Sequence, residues 1–167
     1  MGMAVSYGGF IKWIWNMINH FDYDKYWEMR EYIVTMRGGL KAYYYLYQIK
    51  KMDSYHNASM GTHISFSCAK IDSRPILPHG LNGIIISNEA HIGKNCTIYH
   101  QVTIGGGNGG SPDVGDNVFI GAGAKIIGPI HIGNNVKIGA GCVVTIDIPD
   151  NATVVMNHPR IMISQKE

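Results

Sequence analysis

The chain has 167 residues, of which 46% are hydrophobic, and its 14 Lys and Arg against 12 Asp and Glu leave a formal net charge of +2. That length supports one domain with a real core, and so even a charge balance excludes the basic stripe on which a nucleic-acid interface is built. No stretch approaches the roughly 18 continuous apolar residues of a membrane span, and the opening "MGMAVSYGGF" has no signal-peptide pattern, so a soluble, cytoplasmic chain without stable membrane insertion is expected.

Composition divides the chain near residue 60, with Tyr, Trp, Met and Lys before it and Ile and Gly after it. We expect a helical segment over 1–58 and a second region over 59–167. The first stretch, "FIKWIWNMINHF", has two readings. It lies on a membrane surface, as an interfacial helix with Trp, Phe and Lys does, or it covers the core that follows or packs on a neighbouring subunit. Next, "DYDKYWEMREYIVTM" carries spaced apolar residues behind Asp22 or Asp24 as N-cap. "GGLKAYYYLYQIKKM" follows the break at Gly38 and Gly39, and the two predict a pair of short helices.

Downstream, "PILPHGLNGIII" presents His79 between Pro78 and Gly80, with Asn82 and Gly83 behind it. An imidazole on such a stiff, irregular corner suits a general base, because its ordinary pKa near 6.5 leaves it largely neutral at pH 7. A lone His is more often a packing or surface residue.

From Ile86 onward an aliphatic residue recurs at every sixth position: Ile86, Ile92, Ile98 and Ile104, then Val114, Ile120, Ile126, Ile132, Ile138 and Val144. A helix repeats its face near 3.6 residues and a strand near two, so a period of six is a multiple of the strand period and needs a unit longer than one strand. Gly usually follows the slot (Gly93, Gly105, Gly115, Gly121, Gly133, Gly139), which we read as supplying tight corners. Four residues after each slot sits a small or β-branched residue, such as Ala90, Val102 or Val136. This is the hexapeptide repeat of a parallel β-helix, in which short strands point one residue inward and the coils stack into a continuous core. Cys96 and Cys142 fall on inward positions and are read as core. Cys68 precedes the clear repeats and is read as structural.

Between Ile104 and Val114 the spacing grows to ten, so "GGGNGGSPD" leaves the coil as a loop. Solenoid insertions of this kind build binding surfaces; the alternative is a tolerated floppy loop.

From about Ile71 to the end, the order of motifs resembles the serine acetyltransferase branch of the left-handed β-helix, hexapeptide-repeat acyltransferases. "PHGLNGIIIS" resembles that family's D-H-A-T-G-I-V-I-G, and "HQVTIGGG" its H-x-V-T-L-G-G-T-G-K. "IGAGAKIIGPIHIGNNVKIGAGCVV" resembles its I-G-A-G-A-K-I-L-G stretch, and "DIPDNATVVMNHPRIM" its closing P-x-x-x-x-A-A-G-V-P-A-R segment.

The resemblance implies a mainly β, left-handed parallel β-helix that forms a homotrimer and binds acetyl-CoA in the groove between subunits. It gives His79 the role of catalytic base, deprotonating the acceptor hydroxyl and then protonating the CoA thiolate. Amides around Gly105, Gly106 and Gly107 become candidates for stabilising the oxyanion. Gly106, Ala122 and Ala140 match positions along the pantetheine arm. Lys125, Lys137 and Arg160 match positions facing the CoA phosphates, with each Lys alternatively a solvated corner residue, and Pro159 closes over the adenine. Two readings fit His100: a second catalytic residue on the neighbouring subunit, or a packed polar residue at the trimer axis.

The family's Asp before the catalytic His is Pro78 here, and Gly110 and Ser111 replace the Arg and His of its R-H-P-K loop. A zwitterionic acceptor loses natural partners by these changes. We therefore expect O-acetylation of a sugar or polysaccharide unit, with Asn82 and Ser111 in the acceptor site and L-serine as the alternative acceptor. No metal is expected: the zinc-dependent carbonic anhydrases of this coil hold the metal with three His across an interface, whereas His91 and His100 are nine apart and His131 lies further along the chain. A purely structural coil is the non-enzymatic reading. Neither His63 nor Asp72, both upstream, is a convincing group to orient His79.

Overall fold

The computed structural model describes Gly9, Ile14, residues 16–18 and residues 20–157. Half of "FIKWIWNMINHF", together with Pro159 and Arg160, lies outside the described residues.

Helix α1 (Tyr23–Met36) starts where the Asp22 carboxylate accepts a hydrogen bond from the Lys25 amide at 3.2 Å, satisfying a donor that the first turn leaves open. It stops at Arg37, which adopts the left-handed region. Gly39, at φ 87°, turns the chain into α2 (Leu40–Tyr55). Tyr26, Trp27, Met29, Arg30 and Ile33 form the buried face of α1, and Ala42, Leu46, Ile49 and Asp53 that of α2. Both faces continue the hydrophobic core of the solenoid and close its first coil. Arg30, buried between them, donates from Nη2 to the Ala69 carbonyl at 2.6 Å and from Nε to that of Met60 at 3.3 Å. At the surface Arg74 grips Glu31 through two hydrogen bonds of 2.7 and 2.9 Å.

The rest is a parallel β-solenoid with three faces. The first face stacks β1 (Ser59–Met60), β3 (Ile85–Ile86), β6 (Thr103–Gly105), β9 (Lys125–Ile127) and β12 (Val143–Val144). The second stacks β2 (Lys70–Ile71), β4 (His91–Ile92), β7 (Asp113–Val114) and β10 (His131–Ile132). The third stacks β5 (Thr97–Ile98), β8 (Phe119–Ile120), β11 (Lys137–Ile138) and β13 (Thr153–Val154). The period of six places successive slot residues on successive faces, so that Ile86, Ile104, Ile126 and Val144 meet in register on one of them. All ten slot residues are at most 3% exposed. Cys96 and Cys142 are buried as expected, and all three cysteines are free.

The glycines after the slots correct one expectation. None of Gly93, Gly105, Gly115, Gly121, Gly133 or Gly139 has a positive φ. What the fold needs there is close approach: a Cβ on Gly121 would stand 2.6 Å from the Ala140 amide nitrogen, and one on Gly133 2.6 Å from that of Asp150. The left-handed corner between the second and third faces is made by Asn95, Asn117, Asn135 and Asn151, at φ 55° to 61°. Their side-chain amides bond from coil to coil at 3.1 to 3.2 Å.

The inserted segment leaves at the corner between the first and second faces, and the register closes behind it with His91 opposite Asp113. It folds back as a tight hairpin in which the Gly107 amide donates to the Gly110 carbonyl at 2.8 Å.

Candidate active site

His79 follows Ile76, which bridges to Thr97 on the third face, and precedes β3 on the first face. It therefore sits on the corner joining those faces. The corner is a stacked column: the Gln101 amide donates to Asn82, the Gly123 amide to His100, and the Gly141 amide to Ala122, each carbonyl accepting at 2.8 to 3.0 Å. His79, His100, Ala122 and Ala140 are thus brought together along one edge.

The turn that presents His79 is held on both sides. Gly80, at φ 64°, faces the Phe21 ring, and the Asn82 side chain donates to the His79 carbonyl at 2.8 Å. Asn82 Oδ1 lies 3.0 Å from His56 Nδ1, at the end of α2. His79 Nδ1 lies 2.7 Å from His100 Nδ1, the two rings stack at 4.7 Å, and Tyr99 stands edge-on to His79 at 5.4 Å. His79 Nε2 makes no hydrogen bond among the described residues.

Beside this corner lies a cavity of about 540 Å³ bounded by His79, Asn82, His56, Tyr23, Phe21 and Asn16, with Leu77, Pro78 and Gly80 completing its wall. Aromatic, amide and imidazole groups line it, and no Asp, Glu, Lys or Arg is among these residues. His56 and Phe21 are site residues that the sequence did not reveal. Their only signal was an aromatic and a His flanking predicted helices, and the packing of those helices on the first coil was needed to place them.

Other expected residues stand elsewhere. Gly105 and Gly106 lie at the far edge of the first face, with Ser111 against Gly106 and 2.8 Å from Ser87 across the hydroxyls. Within one chain this edge does not meet His79, because the width of the first face separates the two corners. Lys125 projects from the first face and Lys137 from the third, both exposed, so they flank the His79 corner from either side. His63 bonds locally to Ser65 at 2.7 Å, and neither it nor Asp72 contacts His79.

Asp72 instead begins a ladder on the second face, and here the sequence distance misled. His131 is two coils from His91, and both contact the Asp113 carboxylate, at 3.2 and 2.6 Å. His91 Nε2 also reaches Asp72 at 2.9 Å. Partial desolvation works against the charged ring of His91, but the hydrogen bonds it donates to Asp72 and Asp113 outweigh it and hold its pKa above the ordinary value. His100 lies on another corner, and no group of three or more His, Cys, Asp or Glu among the described residues is arranged to hold a metal.

The family described as "Bacterial transferase hexapeptide (six repeats)" matches residues 111–145. A serine acetyltransferase of Mycobacterium tuberculosis is 47% identical over 91 residues, covering 52% of this chain and 39% of that protein. Among solved structures, serine acetyltransferase isoform 3 of Entamoeba histolytica, in complex with cysteine, superposes with a TM-score of 0.64 at 32% identity, over 83% of this chain and 49% of that one. A serine acetyltransferase in complex with CoA gives a TM-score of 0.62 at 29% identity, over 77% and 50%. The chain spans only about two fifths to half of the length of these proteins. The chain is a parallel β-solenoid that matches the hexapeptide-repeat family over residues 111–145 and is similar to these serine acetyltransferases.

Proposed function

We propose that this relative of the serine acetyltransferases moves the acetyl group of acetyl-CoA to an acceptor hydroxyl, with His79 as general base. The observation that carries the reading is the setting of that imidazole: its Nδ1 is held by His100, its Nε2 makes no hydrogen bond among the described residues, and the residue lines a cavity of about 540 Å³. In the reaction the acceptor oxygen attacks the thioester carbonyl as Nε2 takes its proton. The C–S bond then breaks, and the imidazolium returns that proton to the CoA thiolate.

L-serine is the acceptor that the comparisons support best, since both the sequence relatives and the superposed structures carry that activity in their names. A neutral acceptor such as a sugar unit is the second reading, favoured by the absence of charged residues from the described cavity wall. Asn82 lines that wall. Ser111, on the other edge, would serve an acceptor held between two copies.

A homotrimer fits the separation of the two edges. Gly105 and Gly106 amides reach an oxyanion near His79 only if a neighbouring copy supplies them. Ile85 and Val143, which face outward between those edges, are 48% and 66% exposed and would be covered by such a contact. Ala122 and Ala140, small residues in the His79 column, leave room for a pantetheine arm. Lys125 and Lys137 offer cations to the CoA phosphates, and Pro159 and Arg160 keep the roles that the resemblance implies.

The test is CoA thiol release from acetyl-CoA with L-serine and with a panel of sugars and oligosaccharides, for wild type and His79→Ala. Turnover that His79→Ala lowers by about 10²-fold or more supports the base. Turnover on serine selects the first acceptor and turnover on a sugar alone the second, whereas activity that survives His79→Ala removes the base assignment.

A further inference from the structure

We infer that His100 is a positioning residue that fixes the tautomer of His79. This rests on the acetyl-transfer reading only for its kinetic consequence, since the pairing itself belongs to the folded chain.

A 2.7 Å contact between two Nδ1 atoms requires one to carry hydrogen and the other a lone pair. Two neutral arrangements satisfy it. If His100 donates, His79 must carry its own hydrogen on Nε2, and it then has no lone pair with which to take a proton. If His79 donates, its Nε2 is an acceptor and His100 carries hydrogen on Nε2. Only the second arrangement makes a base, and the described residues provide no other group to orient it. Among the described residues no carboxylate contacts His79, Asp72 is bound to His91, and His63 is turned to Ser65.

The positions of the two rings support the same division of labour. His79 borders the cavity and His100 does not. The carbonyl of His100 accepts from the Gly123 amide at 3.0 Å and that of His79 from the Asn82 side chain at 2.8 Å, so both backbones are anchored, one from the next coil and one from its own. Through the reaction the Nδ1 hydrogen of His79 stays in place, bonded to His100. One proton enters at Nε2 from the acceptor hydroxyl and leaves from Nε2 to the thiolate, so the proton count closes without His100 changing state.

The experiment compares wild type, His100→Leu, which removes the acceptor, and His100→Asn, whose side-chain oxygen can replace it. Nitrogen-15 spectra of the imidazoles, assigned with His79→Gln and recorded where the rings are neutral, read the tautomer directly and require no substrate. Melting temperatures and sedimentation confirm that each variant is folded and assembled. Expected is a His79 ring protonated at Nδ1 in wild type and in His100→Asn, with loss of that preference in His100→Leu. Expected with it is a fall in kcat of roughly 10- to 100-fold in His100→Leu at little changed KM, largely restored in His100→Asn. A wild-type ring protonated at Nε2, or a tautomer unchanged in folded His100→Leu, overturns the inference. Absence of acetyl transfer to every acceptor, with the Nδ1 tautomer present and dependent on His100, leaves the pairing standing and removes the proposed function instead.

Discussion

His91 and Asp113, 22 positions apart in the chain, are joined by a hydrogen bond of 2.6 Å across adjacent coils, and the same imidazole reaches Asp72 on its other side. Both partners are carboxylates, so with them ionised the ring can donate from both nitrogens only as the imidazolium, the form that the raised pKa of His91 favours.

The ladder makes stability depend on pH in a definite sense. A His whose pKa is raised on folding contributes stability that is complete below the unfolded value, about 6.5, and is lost as pH rises through the folded value. Asp72 is lowered first by its hydrogen bond to His91. Asp113 is lowered by His91 and His131 in spite of desolvation, which acts against them. These carboxylates contribute above about 3.9 and lose the contribution as pH falls through their folded values. Thermal melts of wild type and His91→Gln from pH 4.5 to 8.5 should therefore show the widest gap near pH 5 to 6 and a narrowing above it. A gap constant across the range would show that the ladder is not ionised as described.

Asp53 responds in the opposite sense to Asp72. Burial raises its pKa to about 6, against the hydrogen bond from Tyr26 at 2.7 Å and the charge of Lys50. The folded protein then holds this proton more tightly than the unfolded chain, so the contribution of Asp53 improves as pH falls through 6 toward 4, by about 1.4 kcal/mol per unit of pKa difference. Asp53→Asn should lose this dependence and gain on wild type as pH rises from 5 to 7.5. Parallel curves for the two proteins would contradict the raised pKa.

Close approach between coils predicts a ranking among glycine substitutions. Gly121→Ala places a methyl group 2.6 Å from the Ala140 main chain, where nothing flexible can yield, and a loss of about 1–3 kcal/mol is expected. Gly38→Ala meets no atom within 4 Å and has no positive φ, so its effect should lie within about 1 kcal/mol of zero. Chemical denaturation measures both, and equal midpoints for the two variants would remove close packing as the reason for the glycine.

The asparagine corner predicts that residue identity matters less than backbone angle. Asn135→Ala forces an Ala to φ 57° and breaks amide bonds to Asn117 and Asn151, with an expected loss of about 1–2 kcal/mol. Asn135→Gly keeps the angle and should retain roughly half of that stability. A glycine variant as unstable as the alanine one would assign the whole effect to the side-chain ladder.

Much of this molecule was legible before any coordinates. The sixfold recurrence from Ile86 to Val144 specifies a coil because an inward position once per short strand satisfies burial only in a solenoid, and Asp22 and Gly39 marked the helix boundaries through capping and backbone freedom. His79 stood out because it interrupts the repeat between Pro78 and Gly80. The separation of its edge from the edge of Gly105 and Ser111 did not, since a repeat of six says which face a residue occupies only after the corners have been assigned. Stacking also joins residues whose distance along the chain includes an insertion of arbitrary length, so the meeting of His91, Asp113 and His131 was hidden, as was the pairing of His79 with His100. What the sequence by itself determined is the inward half of every coil, where apolar burial dictates residue type. Tertiary structure decided the outward half: which polar side chains lie one coil apart, which hydrogen bond holds the candidate base, and which helices wall its cavity. Those contacts depend on register between coils, which the local pattern does not encode.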